Sequence, residues 1–136
     1  QLKVLIVDDH FLARQVVADT LHDLKVNDLA MANDGLTARD ALETAGNSSA
    51  PFQVVFLDRN LPHIEGLDIL KQFRNHPAYT RTAFIVFTSA SEQSDVLLAM
   101  QAGANAYLIK PVTKQSIEKK FREGVSWIEK QGEAGV

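Results

Sequence analysis

The chain has 136 residues and a formal net charge of -3, and 46% of its residues are apolar and 23% charged. These values are typical of one globular domain with a sizeable core, and the acidic balance argues against direct binding of nucleic acid. Cysteine is absent, which excludes disulfides and thiolate metal sites. No apolar run reaches membrane-spanning length and no signal-peptide pattern is found, so we expect no membrane contact and a cytoplasmic location.

Five short apolar runs predict buried strands. They cover residues 4–7, 29–32, 54–57, 83–87 and 106–109. Runs of this length, rich in β-branched and aromatic residues, are typical of strands that are buried on both faces of a parallel sheet. The run at 54–57 leads directly into Asp58, which therefore lies at the carboxyl end of its strand, where open α/β sheets place their sites.

Helical patterns follow each of the five strands. The first helix begins at Asp9 or His10 and has an apolar stripe made of Leu12, Val16, Val17, Thr20, Leu21 and Leu24. Asp34 is the expected N-cap of the second, and residues 66–75 form the third. Ser91 or Ser94 is the expected cap of the fourth, with Val96, Leu97 and Met100 on its apolar face and Gly103 in the left-handed position after it. The fifth follows Lys114 and carries Ile117, Phe121, Val125 and Ile128 on one face.

Strict alternation of strands and helices predicts an α/β fold with a doubly wound, five-stranded parallel sheet and right-handed crossovers. We expect one domain over residues 1–130, followed by a tail or the start of a linker at 131–136.

Polar side chains follow four of the five predicted strands. They are Asp8, Asp9, Asp58, Thr88 and Lys110. Each alone could be a helix cap, a turn residue or a surface charge, but all four strand ends together point to one crevice. Three carboxylates that converge repel one another unless a cation lies among them, and hard oxygen ligands suit Mg²⁺. With an ammonium and a hydroxyl beside them, these groups have the properties that phosphoryl transfer needs, with Asp58 as the nucleophile.

The sequence resembles the receiver domains of the response-regulator family, the phosphoacceptors of bacterial two-component signalling. The motifs that carry the resemblance are Val7-Asp8-Asp9, Leu57-Asp58, Asn60-Leu61-Pro62, Gly66, Phe87-Thr88-Ser89, Gly103-Ala104 and Tyr107-Leu108-Ile109-Lys110-Pro111. Each motif is weak alone, but the ordered set is specific and spans nearly the whole chain. The resemblance implies a flavodoxin-like fold with strand order 2-1-3-4-5.

The resemblance also implies a role for each matching residue. Asp58 corresponds to the phosphoacceptor, and the Mg²⁺ ligands correspond to Asp9, Asp58 and the Asn60 backbone carbonyl, with Asp8 acting through water. Thr88 and Lys110 correspond to the pair that senses the phosphoryl group, and Tyr107 to the aromatic that moves with Thr88. Pro111 corresponds to the family's cis proline. Ala90 offers no side-chain hydrogen bond near the site, which predicts slow loss of the phosphoryl group.

As partners, the resemblance implies a histidine kinase or a histidine phosphotransfer protein, which donates the phosphoryl group. The face formed by the fourth helix, the last strand and the fifth helix would contact an output domain, a downstream partner or, on activation, a second copy. The domain would be a signalling phosphoacceptor that assists its own phosphorylation and dephosphorylation, rather than an enzyme.

Three other functions remain open from the residues. A haloacid-dehalogenase-type phosphatase also uses an aspartate nucleophile, but it needs a second aspartate two residues later, where this chain has Asn60. A flavodoxin-like cofactor binder should have Ser, Thr or Gly in its first loop, where Asp8 and Asp9 would repel phosphate. A receiver-like structural relic should have lost some of the site residues, and all are present.

Overall fold

The computed structural model describes residues 2–89 and 93–134. Its strands are β1 (Lys3–Val7), β2 (Asp28–Ala32), β3 (Val54–Asp58), β4 (Ala83–Thr88) and β5 (Ala106–Ile109). Its helices are α1 (Phe11–Asp23), α2 (Gly35–Gly46), α3 (Gly66–Arg74), α4 (Gln93–Gln101) and α5 (Lys114–Ala134), with a single 3₁₀ turn at Pro77–Tyr79. The strands form one parallel sheet in the order β2-β1-β3-β4-β5. The predicted doubly wound α/β fold and its strand order are confirmed.

The core consists of two apolar layers, one on each face of the sheet. Alternate residues of the central strands point to opposite faces, as the two-residue period of a strand requires. Leu5, Val55 and Phe84 join the layer covered by α2, α3 and α4. Ile6 and Phe56 join the other layer, which α1 and α5 cover. Burial on both faces explains why these strands are continuous apolar runs in the sequence.

The register of the sheet brings the strand ends to one edge. Val7 pairs with Leu57, so the residues that follow them, Asp8 and Asp58, are neighbours. Asp58 pairs with Phe87 on the other side, and Thr88 pairs with Ile109. The four strand ends named from the sequence therefore meet at the carboxyl edge of the sheet.

Two predicted helical stripes are wrong in part. In α1, Leu12 is 76% exposed, although Val17, Thr20 and Leu21 are buried as expected. In α4, Leu97 is 57% exposed and Met100 is also exposed. Ala99 is the residue of α4 that is buried in the core. The short α4 has a nearly even distribution of apolar residues around its axis, so periodicity could not identify the face that packs.

The ends of the last two helices are partly as expected. Gly103 has a φ of 111°, the left-handed region predicted after α4. Of the two proposed caps, Ser94 lies inside α4, whereas Ser91, like Ala90, lies outside the described residues. Helix α5 continues to Ala134, so residues 131–134 extend it. Among the helices of the described residues, none has the length and apolarity required to cross a bilayer.

Candidate functional site

Asp58 is a buried carboxylate fixed at the end of β3. It is 2% exposed. Its Oδ1 accepts a hydrogen bond from the Asn60 backbone N–H at 3.0 Å, and its Oδ2 accepts one from Lys110 Nζ at 2.8 Å. The loop after Asp58 folds back so closely that a Cβ at Gly66 would collide with the Asp58 carbonyl oxygen. Glycine at that position therefore allows α3 to begin directly beside the carboxylate.

Asp8 lies next to Asp58 and is fully buried, with 0% exposure. Its backbone is held on both sides, because its N–H donates to the Ala32 carbonyl at 3.2 Å and its carbonyl accepts from Arg14 Nη1 at 2.7 Å. Its Oδ1 accepts a bond from the His10 backbone N–H at 2.9 Å. Its Oδ2 lies 3.1 Å from Lys110 Nζ, yet no hydrogen bond of acceptable geometry reaches this buried atom. A buried carboxylate oxygen without a hydrogen bond is costly, and a cation would satisfy it.

The charges of the site do not balance. Asp8, Asp9 and Asp58 contribute three carboxylates, and Lys110 is the ammonium that contacts two of them. Burial raises the pKa of Asp58, and the nearby Asp8 raises it further, which outweighs the lowering by Lys110 and the Asn60 N–H. For Lys110, burial lowers the pKa, but bonds and attraction to Asp58 and Asp8 outweigh it and the pKa is raised. The carboxylates of the crevice thus keep Lys110 protonated and attract further positive charge.

The described residues fit a divalent cation. Asp8, Asp9, His10 and Asp58 each have a ligand atom within 4.8 Å of those of the others. The three carboxylates supply hard oxygens, which suit Mg²⁺, and Asp8 Oδ2 accepts no hydrogen bond although Lys110 lies beside it, so the site has room for further positive charge. Asp9 is the exposed carboxylate of the three, at the rim of the crevice, where water ligands of an ion can also reach.

His10 is the member of this cluster that the sequence does not reveal. The four histidines show no ligand spacing along the chain, and each is expected on the surface or in a loop. His10 is indeed exposed, at 71% for the side chain, but its Nδ1 lies 3.2 Å from Asp8 Oδ1 and 3.1 Å from Asp9 Oδ1. Its position directly after the two acidic residues was the signal available in the sequence.

The other predicted site residues lie around the same crevice. Thr88, the last residue of β4, is buried. The Lys110 N–H donates to the Thr88 carbonyl at 2.8 Å, which fixes the start of the next loop, and the peptide bond from Lys110 to Pro111 is cis. Tyr107, on β5, is half-buried, and Lys120 Nζ of α5 lies 5.3 Å from its ring centre. Tyr107 therefore connects β5 to α5 at the outer side of the sheet.

Arg59, directly after Asp58, extends to α4 and forms an ion pair with Asp95 in the first turn of that helix. Beyond this contact α4 exposes apolar side chains, among them Leu97 and Leu98, and Ile109 of β5 is 41% exposed. The loop beside the candidate nucleophile is thus joined to a helix with an apolar outer face.

Comparison with known proteins gives one consistent result. The model of the response regulator receiver domain family matches residues 4–122. The chain is 34% identical over 120 residues to the chemotaxis protein CheY-3 of Vibrio cholerae, covering 88% of both chains. It is 31% identical to CheY1 of Helicobacter pylori, covering 88% of this chain and 94% of that protein. The solved structure of the V. cholerae chemotaxis response regulator CheY4 has a TM-score of 0.78 at 28% identity, covering 91% of this chain and 98% of that one.

The CheY-like receiver of Methanospirillum hungatei has the same fold, with a TM-score of 0.81 at 23% identity over 96% of this chain and 99% of that one. The sheet order, the crevice at its carboxyl edge and the family match together show that this chain belongs to the response regulator receiver domain family.

Proposed function

We propose that this domain receives a phosphoryl group on Asp58 from a phosphohistidine of a kinase or phosphotransfer protein. The observation that carries the proposal is the pairing of a buried Asp58 with Lys110 beside a second buried carboxylate, Asp8. A carboxylate held in this way, at the edge where the strands end, is positioned as a nucleophile, and its two oxygens are oriented by a backbone N–H and an ammonium.

The transfer itself is an in-line displacement at phosphorus. A carboxylate oxygen of Asp58 forms the new O–P bond while the N–P bond to the donor imidazole breaks. The electron pair of that bond stays on the imidazole nitrogen, which then takes a proton from solvent. Lys110, whose Nζ lies 2.8 Å from Asp58 Oδ2, would stabilise the negative charge that develops on the phosphoryl oxygens. Thr88, at the end of the neighbouring strand β4, is the proposed hydroxyl donor to the same oxygens.

Mg²⁺ is the cation that we propose for the crevice, with Asp9, Asp58 and the Asn60 backbone carbonyl as direct ligands and Asp8 acting through water. Bound there, it would neutralise carboxylate and phosphoryl oxygens and so allow an anionic donor to approach. In this proposal Asp8 and Asp9 supply the negative charge that would hold the ion in the crevice.

A downstream protein or domain would bind to the face made by α4, β5 and α5, and its binding would depend on phosphorylation. A phosphoryl group brings roughly two negative charges and strong acceptor oxygens to Asp58. Thr88 and Lys110 would move toward these oxygens, and Tyr107 would change from half-buried to buried. The exposed apolar residues of α4 and Ile109 lie on this face, as a partner, an output domain or a second copy would require. The phosphoryl group can shift the domain toward this rearranged conformation only if it interacts more favourably with that conformation than with the original one.

The haloacid-dehalogenase alternative is not supported. The family shown is the receiver family, and position 60 holds an asparagine, which cannot serve as a general acid or base. We accordingly propose a signalling phosphoacceptor that is phosphorylated and dephosphorylated stoichiometrically.

The test uses the intact mass of the protein after incubation with a small phosphodonor such as acetyl phosphate. We expect one phosphoryl adduct in the presence of Mg²⁺ and none in Asp58→Asn or with a chelator. Asp95→Asn is a matched control, because it removes one acidic charge near the site but leaves the three crevice carboxylates in place. An adduct of equal yield in Asp58→Asn, or without Mg²⁺, would contradict the proposal.

A further inference from the structure

Among the residues that the structure describes, His10 is the one imidazole in the acidic cluster of the crevice. Its Nδ1 lies 3.2 Å from Asp8 Oδ1 and 3.1 Å from Asp9 Oδ1, and all three belong to the cluster that also contains Asp58. Of the two carboxylates, Asp8 is fully buried and has an oxygen without a hydrogen bond. The crevice therefore has a buried carboxylate oxygen that accepts no hydrogen bond although Lys110 Nζ lies 3.1 Å away, and an imidazole nitrogen at its rim.

The spacing of these atoms matches the edge of a coordination octahedron. Divalent ions bind oxygen and imidazole nitrogen at about 2.0–2.2 Å, which places neighbouring ligands roughly 3 Å apart. The distance from His10 Nδ1 to Asp9 Oδ1, which belongs to a carboxylate proposed as a direct ligand, has that length. Asp9 Oδ1 and His10 Nδ1 are therefore spaced as adjacent ligands of one ion would be, with β1 in its present position.

We propose that His10 is a nitrogen ligand of this site and that the crevice consequently binds borderline first-row cations, such as Ni²⁺ and Zn²⁺, in addition to Mg²⁺. Mg²⁺ prefers oxygen and gains little from an imidazole, whereas the affinity of nitrogen-containing sites rises from Mn²⁺ through Co²⁺ to Ni²⁺. The gain from His10 should follow that order. This inference deepens the proposed function, since it rests on the proposed metal site beside Asp58.

The remaining histidines serve as internal controls. His22 is exposed on α1, the helix that follows His10, and it lies outside the acidic cluster. His63 Nε2 lies 3.8 Å from Asp34 Oδ2, between the loops that follow β3 and β2, and it is not a member of the acidic cluster. His76 accepts a bond from the Ala78 N–H through its Nδ1 at 3.0 Å, so that nitrogen is already engaged.

The experiment measures metal affinity by calorimetry and ligation by NMR of imidazole ¹⁵N nuclei, using the intact chain and the metal salts alone. We expect His10→Ala to lose at least about tenfold in Ni²⁺ and Zn²⁺ affinity, the scale set by loss of supporting groups at metal sites, and clearly less in Mg²⁺ affinity, because Mg²⁺ gains little from an imidazole. His22→Ala should match the parent for every metal. Added Zn²⁺ should shift the Nδ1 signal of His10 and leave those of His22 and His76 in place.

Two results would overturn the ligand role. One is equal Zn²⁺ and Ni²⁺ affinity in His10→Ala and the parent, and the other is Zn²⁺ binding with a silent His10 Nδ1. In either case the imidazole only hydrogen-bonds to Asp8 and Asp9. Phosphorylation of Asp58 with Mg²⁺ is scored separately by mass. If Asp58 is phosphorylated and His10→Ala keeps the Zn²⁺ affinity of the parent, only the ligand role of His10 is wrong. If Asp58 is not phosphorylated but Zn²⁺ shifts the His10 Nδ1 signal, only the proposed function is wrong.

Discussion

Arg74, the last residue of α3, ties three segments of the chain together through its guanidinium. Nη2 donates to the carbonyls of Tyr79, Thr80 and Thr82 at 2.6, 3.2 and 2.9 Å. Nη1 donates to the Gly103 carbonyl at 3.2 Å and to Asn105 Oδ1 at 3.1 Å.

Burial lowers the pKa of Arg74, and the guanidinium stacks over the ring of Phe84 at 4.8 Å. The group therefore fastens the end of α3 to the segments that enter β4 and β5.

We expect Arg74→Met to destabilise the domain by about 2–4 kcal/mol. Methionine keeps an apolar stem of similar length but removes the bonds to four carbonyls, of which, among the described residues, only that of Tyr79 keeps a backbone donor, the Thr82 N–H. A bond to a charged group contributes about 1.5–3 kcal/mol. The expected loss is smaller than five such contributions for two reasons. Arg74 is only half-buried, and the variant no longer has the unfavourable free energy of removing a cation from water. Lysine should recover only part of the loss, because one ammonium cannot reproduce the fixed fork of a guanidinium.

The assay is urea unfolding followed by far-UV circular dichroism, with the m-value checked for two-state behaviour. Arg122→Met is the matched control, since Arg122 is 68% exposed and meets one carboxylate at 3.5 Å. That variant should lie within about 0.5 kcal/mol of the parent. If Arg74→Met and Arg122→Met unfold at the same urea concentration, the carbonyls are satisfied by water in the mutant and the reasoning fails.

Three further outcomes are expected. Mg²⁺ should raise the melting temperature of the parent by mass action, and Asp9→Ala should lose most of that shift; an undiminished shift would place the ion elsewhere. Burial raises the pKa of Tyr79 to about 12, so stability that is complete below about pH 10 should decline by roughly 2 kcal/mol as pH rises toward 12. Tyr79→Phe should show a smaller decline, because the raised pKa of Lys110 still acts in that variant. Identical pH profiles for parent and variant would refute the assignment of this part of the decline to Tyr79. Beryllofluoride, a phosphate mimic, should change the NMR signals of Tyr107, and Thr88→Ala should weaken that response without preventing phosphorylation; a bound mimic with a silent Tyr107 would break the proposed coupling.

The sequence by itself determined the alternation of elements and the residues at the strand ends. Continuous apolar runs can be satisfied only by burial on both faces, so the strands and their parallel arrangement followed from composition and spacing. Because parallel strands end at the same edge, Asp58 and Asp8 could be assigned to one crevice before any distance was known. The strand order came from resemblance, since periodicity contains no information about which strands are neighbours.

Only the tertiary structure decided which of several chemically similar side chains are buried in the core or lie at the site. Leu12 and Leu97 satisfy the helical period as well as Leu21 does, but they are exposed, because the packing face of a helix depends on where the sheet lies. His10 shows no ligand spacing in the sequence, and its place beside Asp8 and Asp9 results from the turn between β1 and α1. The fork of Arg74 likewise joins residues up to 31 positions apart. Such contacts depend on distances between elements, which a one-dimensional pattern does not contain.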